Sequence, residues 1–176
     1  MPLFLYQAPI TAGKMAYSTA ILAKLISLPT VIGIKEGSWE VAAYEEHRRL
    51  VKQLRPEVLV LASGDEHLLT SYLIGTEGSQ VSLAAVVPDL VVGLFEAAMR
   101  GDWQKAHALY ARLYPLAVAI YRKAPSGRAN ARFKTCLRLM GRIGSDRVRP
   151  PFPSTPPSEI EGLKQALDIA LKDSGT

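Results

Sequence analysis

The sequence predicts an α/β fold in which four parallel β/α units form part of a (β/α)8 barrel and a helical extension follows. Three observations carry this expectation. Apolar runs and helix-periodic stretches alternate four times over residues 1–101. The runs are near-continuous, as in strands covered on both faces. Beyond Gly101 only helix-periodic segments remain. Repeated strand–helix alternation implies a parallel sheet with right-handed crossovers. The expected division is therefore a barrel part over 1–101 and a helical extension over 102–176.

The first run, residues 3–5, ends at Tyr6-Gln7-Ala8-Pro9, where Pro9 lacks a backbone donor and stops the strand. From Ser18, a candidate cap, Ile21, Leu22, Leu25 and Ile26 recur at helical spacing until Pro29 forbids continuation. Residues 31–35 form the second run, with Val31, Gly33 and Lys35 expected on one face and Ile32 and Ile34 on the other. Ser38 can cap the next helix, which runs to about Leu54. A third strand is expected over 58–61, the turn Ser63-Gly64-Asp65 follows, and a helix over about 66–74 comes next. A fourth strand is expected over 81–84, then a helix after Pro88 that ends at Gly101. Asp102 can cap a helix carrying Ala106, Leu109, Leu113 and Leu116, and 128–139 reads as another. The proline-rich stretch 150–157 must be an extended connection. A last helix opens near Ser158, with Glu161 completing a capping box.

With 176 residues, 48% of them apolar and 21% charged, the chain can bury an ordinary domain core. The apolar stretches are broken before the roughly 18 residues a membrane span needs, and no basic segment precedes an apolar run at the start. A cytoplasmic location is expected. Cys136 is the single cysteine, so no internal disulfide forms and no cysteine cluster holds a metal; its expected role is apolar filler. The net charge of +5 concentrates at Arg122, Lys123, Arg128, Arg132, Lys134, Arg138, Arg142, Arg147 and Arg149, with Asp146 as the acid in that span. Such a patch suits nucleic acid or an acidic partner. A solvated basic helix face is the expected reading, because Phe133 is the lone aromatic residue among the arginines and does not make the interleaved stacking platform that nucleic acid requires.

Lys35 closes the run Val-Ile-Gly-Ile, where desolvation is expected and Gly33 leaves room. Burial favours the neutral amine of a lysine, the form that attacks a carbonyl. The C-terminal mouth of barrel strands is also where catalytic groups sit. Tyr6 stands at the matching end of the preceding strand, where a phenol can shuttle protons. Taken singly, each residue also reads as ordinary: a lysine marking a strand end, and a tyrosine packed beside one.

Together these elements resemble the dihydrodipicolinate synthase and N-acetylneuraminate lyase family. Tyr6-Gln7-Ala8-Pro9, with Gly13 following, is similar to the Tyr-Asn-x-Pro element after the family's strand five. Val31 to Glu36 matches its strand six, Leu61-Ala62-Ser63-Gly64-Asp65 its strand-seven turn, and Gly75-Thr76-Glu77-Gly78 the entry to strand eight. Gly101-Asp102-Trp103, Phe133-Lys134 through Gly141, and Arg149-Pro150-Pro151 match its C-terminal extension. The resemblance implies that the chain supplies strands five to eight. It also implies a class I aldolase mechanism on pyruvate or another 2-keto acid, with Lys35 forming the imine and Tyr6 relaying protons. No metal or organic cofactor is implied. Gln80 stands where a backbone carbonyl faces the family's site. Thr11 stands where members that make dihydrodipicolinate carry an arginine, which favours a sugar acid or other keto acid. The Gly-Thr-Thr segment that binds the keto-acid carboxylate belongs to the first half of the family's barrel.

Eight units occupy about 250 residues, so four leave an unclosed sheet with unpaired edges. Completion by an N-terminal half or by a homo-oligomer is therefore expected. A non-catalytic half-barrel assembly module is the alternative from a different functional class. Nucleic-acid binding through the region 128–149 is a third reading, which predicts steep salt dependence.

Overall fold

The computed structural model describes residues 1–172. By its contacts the chain forms two compact units, Met1–Val81 and the part from Ser82 onward. The first is a four-stranded parallel sheet with helices. Its strands β1 (Leu3–Gln7), β2 (Val31–Glu36), β3 (Leu59–Ala62) and β4 (Gly78–Ser79) lie in chain order. Helices α1 (Thr19–Ile26), α2 (Val41–Leu54) and α3 (Leu68–Ile74) connect them. Leu22, Ile26, Ile34, Val51, Val60 and Leu68 are fully buried and bring helices and sheet together.

Local chemistry explains both the agreements and the departures. The Ser18 hydroxyl accepts from the Ile21 N–H and caps α1 as expected. Ser38 does not cap α2. Its hydroxyl donates to Glu36 Oε2 at 3.0 Å, and Glu40 takes the cap position. Residues 65–67 form a 3-10 turn, so α3 starts at Leu68 rather than near residue 66.

The fourth strand lies at Gly78–Ser79 and not at 81–84, where Ser82–Ala85 form a 3-10 turn. The reason is competition for β3. The Thr76 hydroxyl holds the Val60 carbonyl at 2.8 Å, the Glu77 N–H donates to the same carbonyl at 3.1 Å, and the Gln80 N–H reaches the Ala62 carbonyl at 2.9 Å. The edge of β3 is thus paired before Val81 arrives.

The expected alternation along β2 holds only from Gly33 onward. Leu3 pairs with Val31 but Phe4 pairs with Gly33, so Ile32 is an extra residue in a bulge. Val31 is consequently buried like Ile34, while Ile32 is exposed.

The second unit is helical: α4 (Pro88–Met99), α5 (Trp103–Tyr121), α6 (Ala129–Leu139) and α7 (Pro157–Leu171). Helix α5 packs on α4 and α7, and α6 packs on α7. Pro88 opens α4 in the first turn, where its missing N–H costs nothing. Asp102 caps α5 by accepting from the Lys105 N–H at 3.0 Å. The box expected from Ser158 and Glu161 does not form. Pro156 is the N-cap, Pro157 starts α7, and Glu161 instead accepts from the Gln165 amide at 3.1 Å.

The basic region is only partly a solvated face. Arg132 is fully buried, donating to Glu159 at 2.7 Å and to the Ile120 carbonyl at 2.7 Å. Arg128 joins the same carboxylate at 3.3 Å, and Arg138 pairs with Asp146 at 2.9 Å. Glu159 lies 27 residues from Arg132, so no local charge count could pair them. Cys136 is fully buried, and burial pushes its thiol up to about 11. Among the described residues no helix is long and apolar enough to cross a membrane.

Candidate functional site

The parallel register assembles the site. Lys35 lies beside Tyr6 of β1 on one side and Leu61 of β3 on the other, all near the C-terminal ends of their strands. Same-face neighbours in adjacent strands are close enough for direct contact. The Lys35 Nζ stands 5.2 Å from the centre of the Tyr6 ring, within cation–π range. Phe4, Leu5, Tyr6, Lys35, Leu61 and Gln80 line an open depression of about 420 Å³. Tyr6 is 46% exposed and Phe4 50%. Lys35 is half-buried rather than dry, so the desolvation expected at its strand end is partial here.

The sequence-derived residues divide. Lys35, Tyr6 and Gln80 meet at the depression, Gln80 being held there by its N–H on Ala62. Thr11 sits exposed on the 3-10 segment Ile10–Met15 and does not line it. Gln7 is buried and braces the loop after β1: its amide nitrogen donates to the Tyr17 carbonyl at 3.4 Å, and its oxygen accepts from the Tyr17 N–H at 3.3 Å.

Phe4 and Leu61 were not singled out from sequence. The signal was present in the period of two, which places residue 4 on the face of residue 6.

The opposite face of the same strand ends carries a buried polar network that sequence reasoning missed. Glu36 is 1% exposed and accepts from Ser38, and His47 Nδ1 lies 2.8 Å from its Oε1. Ala43, Tyr44, His47 and Val51 form the buried stripe of α2, and a histidine in such a stripe signals a partner on the sheet. The Tyr44 hydroxyl donates to the Gly75 carbonyl at 2.8 Å, and burial pushes it up to about 12. In the turn after β3, Asp65 is buried, and His67 Nδ1 lies 3.0 Å from the Ser71 hydroxyl. Burial holds the His67 imidazole below its ordinary value. Among the described residues no group of three or more His, Cys, Asp and Glu could hold a metal ion.

Residues 1–170 match the model of the dihydrodipicolinate synthetase family. The chain belongs to this family. Among curated family relatives, a 4-hydroxy-tetrahydrodipicolinate synthase of Nitrobacter hamburgensis is 29% identical over 158 residues, covering 90% of this chain and 51% of the relative. A DapA-like lyase of Halobacterium salinarum is 32% identical over 178 residues, covering 99% of this chain and 53% of the relative. Among solved family structures, YagE of E. coli K12 in complex with pyruvate superposes with a TM-score of 0.83 at 28% identity, covering 96% of this chain and 57% of that one. The dihydrodipicolinate synthase of Bacteroides thetaiotaomicron gives a TM-score of 0.80 at 28% identity, with 96% and 56% covered. The chain thus spans about half the length of the curated relatives it matches.

Proposed function

We propose that this chain carries the amine-bearing half of a Schiff-base lyase acting on pyruvate or a related 2-keto acid. The Lys35 amine attacks the keto carbon, and loss of water leaves an imine that is protonated at nitrogen. The protonated imine then accepts the electron pair released when a neighbouring C–C bond breaks, or when a proton leaves the adjacent carbon. Tyr6 passes protons between the carbinolamine, the aldol oxygen and solvent. The Gln80 backbone carbonyl orients the adduct, and Thr11 would meet only a substituent extending beyond the depression. The observation that carries this reading is the pairing of Tyr6 with Lys35, which sets the amine 5.2 Å from the phenol ring.

In this reading the four strands are strands five to eight of a (β/α)8 barrel, residues 1–101 are its second half, and 102–176 are its extension. Relatives of about twice the length and an uncovered sheet face support it. The carboxylate clamp would come from the other half, supplied by an N-terminal segment or another chain, and the reaction would run in the cytoplasm. The test is incubation with pyruvate and a borohydride reductant, then peptide mass analysis. A reduced adduct on Lys35, abolished by Lys35→Ala, is expected; an unmodified chain at saturating pyruvate rejects the mechanism.

A second reading is favoured by the exposed Phe4, Ile32 and Leu59: a half-barrel module without catalysis that pairs with its own copy or a separate half. Size measured across a dilution series separates the two. A stable monomer at the lowest concentration excludes obligatory pairing.

A further inference from the structure

Lys35 lies midway between two glycines, Gly33 and Gly37. Neither has a positive φ, unlike Gly13, Gly75, Gly101 and Gly141, so backbone conformation does not demand glycine at either position. Space does. A Cβ at position 33 would fall 2.1 Å from Phe4 Cε1 and 2.7 Å from its Cδ1 and Cζ. A Cβ at position 37 would fall 2.7 Å from Tyr6 Cε2 and 2.7 Å from the Gln7 carbonyl oxygen. The Gly37 N–H donates to that same carbonyl at 3.0 Å, so this close approach of backbones extends the pairing of β1 with β2 past the lysine. The rings of Phe4 and Tyr6 therefore rest on bare backbone, one before Lys35 along the chain and one after it.

We propose that Gly33 and Gly37 are positioning residues that seat the Phe4 and Tyr6 rings on β2 and so hold the Lys35 side chain in an aromatic bracket. Neither glycine touches the substrate. Each acts through a ring. A long lysine side chain on an uncovered sheet face otherwise samples many rotamers, and its amine is then rarely aligned with a carbonyl. The inference concerns the same site as the proposed imine chemistry and rests on that reading for its catalytic consequence, but the bracket itself is observable without any substrate.

The test uses the full chain with 13C-labelled lysine. In the wild type, the Lys35 ε-methylene signal, assigned by its loss in Lys35→Arg, is displaced upfield by the ring beside it. Tyr6→Leu should abolish that displacement, and Gly37→Ala should reduce it while lowering the melting temperature, because its new Cβ also meets the Gln7 carbonyl oxygen of the backbone. The rate of adduct formation with pyruvate and borohydride should fall by about 100-fold in Gly37→Ala, the scale expected for misplacement by about 1 Å. Gly33→Ala is the second variant, because the atoms nearest its new Cβ all belong to the Phe4 ring, which can swing aside without unfolding the strand. It should slow trapping in the wild-type background and change nothing further in Phe4→Ala, since it acts through that ring. Unchanged ε-methylene positions and trapping rates in folded Gly33→Ala and Gly37→Ala proteins would overturn the proposal. A signal that responds to both glycine variants in a chain that never forms a pyruvate adduct would uphold the bracket and reject the imine chemistry.

Discussion

The two faces of the parallel sheet treat neighbouring residues of β2 in opposite ways. On the helix-covered face Glu36 is enclosed, and Ser38 and His47 satisfy its carboxylate. On the open face Lys35 has an aromatic ring and a half-wetted depression around its amine, and among the described residues no ion pair is formed with it. Burial of a charge without a partner costs several kcal/mol, so the covered face holds this carboxylate only with its partners in place. The open face bears no such requirement. In the proposed reading, its lysine and phenol serve chemistry rather than hold the fold together. The helical unit follows the rule of the covered face: Arg132 is buried because Glu159 and the Ile120 carbonyl meet its donors.

This contrast can be broken by stability measurements. Arg132→Met removes one side of a buried pair and leaves Glu159 with Arg128 alone, so denaturant unfolding should show a loss of about 3 kcal/mol. His47→Leu leaves the Glu36 carboxylate short of a partner at 2.8 Å and should cost about 1.5–3 kcal/mol. A near-neutral result for either variant would mean that its network fills space rather than stabilises the fold.

Two pH effects sharpen the same comparison. Burial holds the folded-state pKa of His67 below the ordinary 6.5, so the unfolded chain takes up the proton first. Stability from this group is present above about pH 6.5 and is lost as the pH falls through the lower folded value. His67→Asn should flatten that part of a melting-temperature profile. At lower pH, the bond from Arg132 holds the Glu159 carboxyl below the ordinary 4.5; its stabilisation is present above that value and disappears as the pH falls through the folded one. Glu159→Gln should remove this contribution to the acid limb of the profile.

The smallest effect belongs to the open face. Lys35→Ala should change stability by no more than about 0.5 kcal/mol, as for an ordinary surface substitution. A loss comparable to that of His47→Leu would show the lysine to be structural and erase the difference between the faces.

Much of the fold was legible from period and punctuation. Pro29, Pro88 and Gly101 end or open elements where the chain demands it, and Ser18 and Asp102 cap the helices that follow them. The errors share a cause. Ser38, Thr76 and Glu161 each carry a side chain able to serve a local cap or turn, or a distant partner, and sequence offers no means to rank those uses. Thr76 decided the position of the fourth strand by binding β3 first. The pair Tyr6 and Lys35 was visible because both close apolar runs of the same kind. Phe4, Leu61 and the Glu36–His47 pair were not recovered, since the first two read as core residues and the last joins a strand to the helix after it.

By itself, the sequence determined the order of strands and helices and the residues at the strand ends, because short-range periodicity and the stereochemistry of proline and glycine act over a few positions. Only the tertiary structure decided which end groups face one another and which are sealed away. Strand register, the bulge at Ile32 and the burial of Arg132 depend on partners many residues distant, and the free energy of hiding a charge or stacking a ring exists only once those partners are in place.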